Sequence, residues 1–209
     1  MTADVWARAL KLGTSTLYEA NGGVGALDPA IRPTWRGAAL SGPAYPLTCA
    51  VGDNLAVHRA LERCSPGDVL VVNAEGDQSG YFGEVLTHAA RARGVRGVVM
   101  DGGVRDIDAF ERLRFPVFAR LISMHRSVKV DPGRIGEPAS VGGVLVSPGD
   151  MVVADTDGVF VCAAARWEAT LKAGEARAAR EAGLIQKIEA GELTLDLLEL
   201  RPAADSATP

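Results

Sequence analysis

Val69-Leu-Val-Val72 is a run of four apolar residues between the turn signal Ser65-Pro-Gly-Asp68 and a polar stretch that starts at Asn73. The run is too short for a helix and has no polar face. It reads as a strand covered on both sides. Val95–Met100 and Phe115–Arg120 carry the same signature. Segments with helical spacing separate these runs. Asn54–Cys64 brings Leu55, His58, Ala60 and Leu61 near one face. Glu84–Gly94 would turn Val85, Leu86 and Ala89 inward, with Arg91 and Arg93 near its end and Gly94 after it. Ile107–Leu113 is the third such segment. Buried strands alternating with helices confine the chain to an α/β fold, with helices packed on a mixed sheet.

The flanks extend this pattern. Asp4–Leu12 has helical spacing and stops at Gly13. Thr14-Ser15-Thr16 offers an N-cap for a short second helix, Leu17–Ala20, ended by Asn21-Gly-Gly23. Residues 24–46 are rich in Gly and Pro and read as loop plus a short strand. Ser147–Cys162 reads as a hairpin turning at Asp155-Thr-Asp-Gly158. It echoes Ser65–Asp77, and the echo reads as one turn chemistry used twice, because only the second segment continues into a hairpin. From Ala163 to Leu200 the chain is rich in Ala, Glu, Lys and Arg and reads as helical. The expected organisation is an α/β domain over residues 1–165, a C-terminal helical arm over 166–200 and a disordered tail over 201–209.

Charge and cysteine content narrow the function classes. The net charge is −4 with no basic block, and aromatics are 5% of the chain, which argues against a nucleic-acid partner. No run of about 18 apolar residues occurs, so no membrane span is expected. Three scattered cysteines, Cys49, Cys64 and Cys162, fit a reducing cytoplasm better than a disulfide framework. His58, His88 and His125 form no zinc-binding spacing. Lys11, Lys129, Lys172 and Lys187 sit at no predicted core-strand end, so a carbon–carbon lyase here would use a metal rather than an imine.

The stretch Met100-Asp-Gly-Gly-Val-Arg-Asp106 carries the strongest chemical signal. It leaves a predicted strand, turns on two glycines and clusters Asp101, Arg105 and Asp106. Loops beyond the carboxyl ends of strands are where open α/β sheets place ligands. An arginine fork grips a carboxylate, and an adjacent carboxylate can hold Mg²⁺ or Mn²⁺. The plainer alternative is that Asp106 caps the next helix and Arg105 lies on the surface. Gly83 adds a second signal: at a predicted helix start, unpartnered N–H groups and the helix dipole make an anion site.

The segment Gly83–Arg120 resembles the RraA-like family, which holds divalent-metal 4-hydroxy-4-methyl-2-oxoglutarate/4-carboxy-4-hydroxy-2-oxoadipate aldolases as well as regulators of ribonuclease E activity. The resemblance extends from Thr14–Ala20 through Gly42–Leu61 and Pro66–Val72 to Pro148–Val161. Its specific part is Glu84 followed, about twenty residues on, by Arg105-Asp106. The resemblance implies a swivelling ββα-type α/β domain, assembled as a homotrimer or homohexamer with sites between subunits. It implies that Asp106 binds the metal, partly through waters, and that Arg105 binds the oxo-acid end and steadies the developing enolate. Backbone N–H groups of Gly83, Glu84, Val85 and Leu86 would cradle the pyruvate carboxylate. Glu84 would orient metal-bound water, and Glu19 and Glu181 would serve a neighbouring subunit's site. The implied activity is retro-aldol release of pyruvate from a 4-hydroxy-2-oxo di- or tricarboxylic acid, an activity of aromatic-compound degradation, with oxaloacetate decarboxylation alongside. Two other readings remain: a non-catalytic ribonuclease regulator, or a lyase for another 2-oxo acid. In the regulator branch Asp typically does not follow the Arg and the arm is usually missing; this chain has both.

Overall fold

The computed structural model describes residues 3–201. Its strands are β1 (Arg32–Pro33), β2 (Leu40–Thr48), β3 (Val69–Asn73), β4 (Gly80–Phe82), β5 (Gly97–Val104) and β6 (Val117–Ile122), then β7 (Arg134–Ile135), β8 (Ala139–Val141), β9 (Val144–Val146), β10 (Met151–Asp155) and β11 (Gly158–Cys162). Its helices are α1 (Ala3–Leu12), α2 (Thr14–Ala20), α3 (Leu55–Arg63), α4 (Glu84–Ala92), α5 (Ile107–Arg112), α6 (Trp167–Glu189) and α7 (Thr194–Leu197). β2, β3, β5 and β6 pair in parallel, and α3, α4 and α5 lie in the crossovers between them. The antiparallel hairpin β10–β11 joins the edge of β2, so the sheet is mixed. The α/β class, the mixed sheet and the C-terminal helix are as the sequence leads one to expect.

The apolar runs are buried on both faces because each face has its own cover. Leu70, Val72, Val98, Met100 and Val117 pack with α3, α4 and Phe110 of α5. Their neighbours Val69, Val71, Val99 and Phe118 face the other way, toward β8, β9 and the inner side of the hairpin. The period-two alternation of a strand places successive residues in opposite cores. The hairpin repeats it: Val152 and Ala154 point inward, while Met151 and Val153 meet Trp6, Leu17 and Trp167 beneath α1, α2 and α6.

Three local readings change. The two glycines of the 100–106 stretch do not turn the chain; β5 continues through them to Val104, its register to β6 shifting between Met100 and Gly103. They are needed because other chain segments press on the strand there. A Cβ at Gly103 would lie 2.5 Å from the Ser79 carbonyl oxygen, and one at Gly102 would lie 2.7 Å from Ala74 Cβ. Thr14 does not cap α2 but begins it. The cap comes from Asp155 in the hairpin turn, whose carboxylate accepts from Thr14 N (2.8 Å) and Thr14 Oγ1 (2.7 Å). Val85 does not face inward; it is 80% exposed at the first turn of α4, and Leu86, Thr87 and Ala90 are buried instead. The proposed tail lies outside the described residues apart from Arg201.

The two Ser-Pro-Gly-Asp segments form the same turn. In each, the Asp carboxylate accepts from the Ser N–H at 2.8 Å, and the glycine has positive φ, 99° at Gly67 and 83° at Gly149. Proline followed by a positive-φ glycine is the type II pattern. Each turn starts a strand, and only the second strand continues into a hairpin.

Asp53 fixes the loop after β6 to the start of α3. Its carboxylate accepts from Leu55 N (2.8 Å), Val130 N (2.6 Å) and Asp131 N (2.8 Å). Burial pushes this carboxyl up, but the three N–H groups, with Lys129 nearby, outweigh it and hold it below the usual range. A depressed carboxyl stabilises the fold above its unfolded pKa of about 3.9, and that contribution is lost as pH falls through the folded value. Asp53→Ala is expected to cost about 2 kcal/mol at pH 7, because three N–H groups lose their acceptor. The deficit should shrink as pH falls below about 4; urea midpoints at pH 7 and pH 3.5 check both.

Candidate active site

β4 and β5 end side by side, and the chain leaving each of them builds one cavity of about 210 Å³. Gly83, Val85 and Leu86 line it from the start of α4, and Arg105 and Asp106 from the end of β5. Asn54 and His58 of the α3 segment, Tyr81 and Lys129 complete the wall.

Asp106 organises the centre. It sits in the left-handed region, at φ 59° and ψ 44°. That conformation is uncommon for a residue with a side chain, and Asp is among those that tolerate it best. As the N-cap of α5 it makes no side-chain cap bond to that helix. Its Oδ2 instead accepts from Glu84 N at 2.9 Å, so this carboxylate caps α4. Gly83 makes room for it: a Cβ there would collide with Asp106 Oδ2 and sit 3.1 Å from Arg105 Cγ. Arg105 Nε lies 3.9 Å from Asp106 Oδ2, and Arg105 N donates to the Phe82 carbonyl at 2.9 Å. Thr87 ties the helix start down by donating its Oγ1–H to the Gly83 carbonyl at 3.0 Å.

Of the four N–H groups expected to form an anion cradle, Glu84 N is thus already given to Asp106. Val85 N and Leu86 N make no hydrogen bond within the described residues, as the first turn of a helix leaves them. Glu84 lies beside the cavity rather than in its wall. Its carboxylate is paired with Arg112 and lies 3.9 Å from His88 Nε2. Glu19 and Glu181 also lie outside the wall, yet they come together: Arg177 bridges them at 2.5 Å and 2.8 Å. Asp101 separates from Arg105 and Asp106. Its carboxylate takes Arg120 Nε at 2.5 Å and Gly142 N at 2.7 Å, a tie that braces β5.

The electrostatics are mixed. Arg105 and Lys129 supply two cations and Asp106 one anion. Burial, and then the Lys129 charge, lowers the His58 pKa and favours the neutral imidazole. Burial holds the Tyr81 phenol protonated; it donates to Asp77 Oδ2 at 2.9 Å and accepts from Gly52 N at 2.7 Å. The cysteines take no part: all three are buried and unpaired, and burial pushes Cys49 up to about 12.

No group of three or more His, Cys, Asp or Glu residues that could hold a metal occurs among the described residues. Asp106 Oδ1 is a carboxylate oxygen with no hydrogen bond among the described residues. One such oxygen, with substrate oxygens and water, suits Mg²⁺ or Mn²⁺, which bind through one or two carboxylates and keep several waters.

Asn54, His58 and Lys129 were missed as site residues. Asn54 and His58 stand four apart on one helical segment, a spacing visible in the sequence, but nothing local says what that face meets. Lys129 arrives on a loop held by Asp53, and no sequence signal foretells it.

The family model described as "RraA-like: Aldolase/RraA" matches residues 14–161. A protein of Halalkalibacterium halodurans named "Putative 4-hydroxy-4-methyl-2-oxoglutarate aldolase" is 40% identical over 149 residues, 71% of each chain. A Burkholderia mallei protein of the same name is 36% identical over 136 residues, 65% of this chain and 82% of that one. The Streptomyces coelicolor protein RraAS2, described as an unusual member of the RNase ES inhibitor RraA protein family, superposes with a TM-score of 0.78 at 26% identity. That alignment covers 89% of this chain and 98% of the other.

Proposed function

This chain belongs to the RraA-like family, and from that membership we propose that it is a metal-dependent aldolase releasing pyruvate from a 4-hydroxy-2-oxo di- or tricarboxylic acid. The observation that carries this reading is Asp106. It is held beside Arg105 in a left-handed conformation, with one carboxylate oxygen fixed on α4 and the other free at the cavity.

In this reading Val85 N and Leu86 N hold the substrate's C1 carboxylate at the start of α4, where the helix dipole favours an anion. Lys129 balances a further carboxylate. The C4 hydroxyl passes its proton to a water molecule in the cavity, the C3–C4 bond breaks, and C4 becomes a carbonyl. The bonding pair moves to leave an enolate on the C2 oxygen, and a proton then returns to C3. The Arg105 guanidinium donates to that oxygen as charge develops on it. Asp106 would hold a Mg²⁺ or Mn²⁺ ion, whose contribution is Lewis-acid stabilisation of the same charge. Loss of CO₂ from oxaloacetate yields the same enolate, so oxaloacetate decarboxylation accompanies the main reaction.

The site also fits an oligomer, a homotrimer or homohexamer. Val85, on the segment that leaves β4, and Ile122 and Met124, at the end of β6 and just beyond it, expose apolar side chains. Glu19 and Glu181, joined by Arg177, would then reach a neighbour's cavity. No helix among the described residues is long and apolar enough to cross a membrane.

Pyruvate release tests the proposal. EDTA-treated protein is given 4-hydroxy-4-methyl-2-oxoglutarate or oxaloacetate, with and without Mg²⁺ or Mn²⁺, and pyruvate is read through lactate dehydrogenase. Metal-dependent pyruvate from the hydroxy acid is the expected result. Pyruvate from oxaloacetate alone would assign the enolate site to another 2-oxo acid. None from either substrate would favour a non-catalytic role.

A further inference from the structure

Lys129 joins the cavity wall from an exposed loop, yet the backbone on either side of it is fixed. Val128 N donates to the Gly52 carbonyl at 2.8 Å, and Asn54 N donates to the Val128 carbonyl at 3.0 Å. Val130 N and Asp131 N both donate to Asp53 Oδ2, at 2.6 Å and 2.8 Å. The side chains of Val128 and Val130 are exposed, so hydrogen bonds rather than apolar burial set this loop in place. The lysine stem therefore starts from a defined point beside the start of α3. Its charge is felt at the wall, where it adds to the burial that keeps His58 neutral. What Lys129 lacks is a counter-charge. Asp53 feels the same charge but spends both oxygens on Leu55 N, Val130 N and Asp131 N. Lys129 makes no ion pair among the described residues.

Within the aldolase reading, on which this inference rests, a dicarboxylic substrate brings two carboxylates and a C2 oxygen. Val85 N and Leu86 N take the C1 carboxylate, and Arg105 serves the C2 oxygen. Other donors of the wall are already committed. Asn54 Nδ2 donates to the Tyr81 carbonyl, and the Tyr81 hydroxyl donates to Asp77 Oδ2, each at 2.9 Å. His58, kept neutral, supplies no charge. The second carboxylate is left with one cation of the wall, Lys129. A lysine ammonium is a point charge on a flexible stem, so it follows charge rather than a fixed shape. That suits a carboxylate whose place differs between di- and tricarboxylic acids.

We propose that Lys129 determines the specificity of this cavity: its ammonium receives the substrate's second carboxylate and so selects 2-oxo dicarboxylic acids over 2-oxo monocarboxylic acids of the same chain length. The contact is ionic and open to water, so salt weakens it.

The test compares two acids of equal chain length that have no C4 hydroxyl to cleave at, 2-oxoglutarate and 2-oxopentanoate. They differ in ending on a carboxylate or a methyl group. Binding of each to the full-length protein is measured by calorimetry with Mg²⁺ present. Wild-type protein should prefer 2-oxoglutarate by about 10- to 30-fold, the worth of one hydrogen bond between charged groups. The preference should shrink severalfold between about 0.05 and 0.5 M NaCl. Lys129→Met should bring it to within about threefold of unity by weakening 2-oxoglutarate alone. Lys129→Arg, which keeps the charge, should retain most of it. Wild-type protein that binds neither acid or both alike, a preference kept in Lys129→Met, or a parallel loss of both affinities overturns the assignment. The aldolase reading fails separately. A Lys129-dependent preference without pyruvate release from 4-hydroxy-4-methyl-2-oxoglutarate, with Mg²⁺ or Mn²⁺, would sink that reading and leave the carboxylate subsite standing. Pyruvate release with an unchanged kcat/KM in Lys129→Met would do the reverse.

Discussion

Asp106→Asn should lower kcat/KM for metal-dependent pyruvate release by about 10³-fold or more, a loss of roughly 4 kcal/mol of transition-state stabilisation. The melting temperature should stay close to that of the wild-type protein. Asparagine tolerates the left-handed backbone of this position at least as well as aspartate does. Its amide oxygen can still accept from Glu84 N, so the start of α4 keeps its cap. What disappears is the negative charge on the free oxygen. A direct metal-binding measurement, such as calorimetry with Mn²⁺, should show the affinity falling together with the rate. Full activity in a folded Asp106→Asn protein would remove Asp106 from the metal assignment.

Arg105→Lys is expected to cost about 10²–10³-fold, mostly in kcat. Lysine keeps the charge but not the planar fork, and charge developing on the C2 oxygen rewards a donor already aimed there. The backbone tie of residue 105 to the Phe82 carbonyl survives the change, so misfolding would not explain the loss. Its stem is confined as well: a Cβ at Gly80 would lie 3.1 Å from Arg105 Cδ, so the arginine reaches the cavity across a glycine floor. An unchanged kcat/KM would take Arg105 out of the chemistry, and a change confined to KM would make it a binding group only.

Much of this frame could be read from the sequence, because strand and helix periodicity are local. Val69–Val72 had to be covered on both faces, and the two Ser-Pro-Gly-Asp turns carried their own type II signature. The errors came where distant segments meet. Gly102 and Gly103 look like a turn until Ala74 and Ser79 are seen pressing on the strand. Thr14 looks like a cap until Asp155, 141 residues away, supplies one. Val85 fits an inward helical stripe, yet it lines the cavity and is exposed, while Leu86 and Thr87 of the same turn take the core face. At the site, Gly83, Arg105 and Asp106 could be picked out because they flank strand and helix ends. Asn54 and His58 could not, since what a helix face meets is a property of the packed molecule.

The long helix α6 changes character partway along. Trp167, Thr170, Leu171 and Gly174 are buried, and no described residue after Gly174 is. At 1.5 Å per residue, the stretch from Gly174 to Glu189 runs roughly 22 Å beyond its last buried residue. A helix of that length is marginal in water by itself, and local pairs such as Arg177–Glu181 add only a few tenths of a kcal/mol. Ile185, Leu193, Leu195 and Leu200 then stand exposed near its end. Order in this segment is therefore set less by the chain than by what it touches. If a second subunit provides that surface, its helicity becomes a function of protein concentration, and dilution would fray the far end of α6 long before it disturbed the sheet.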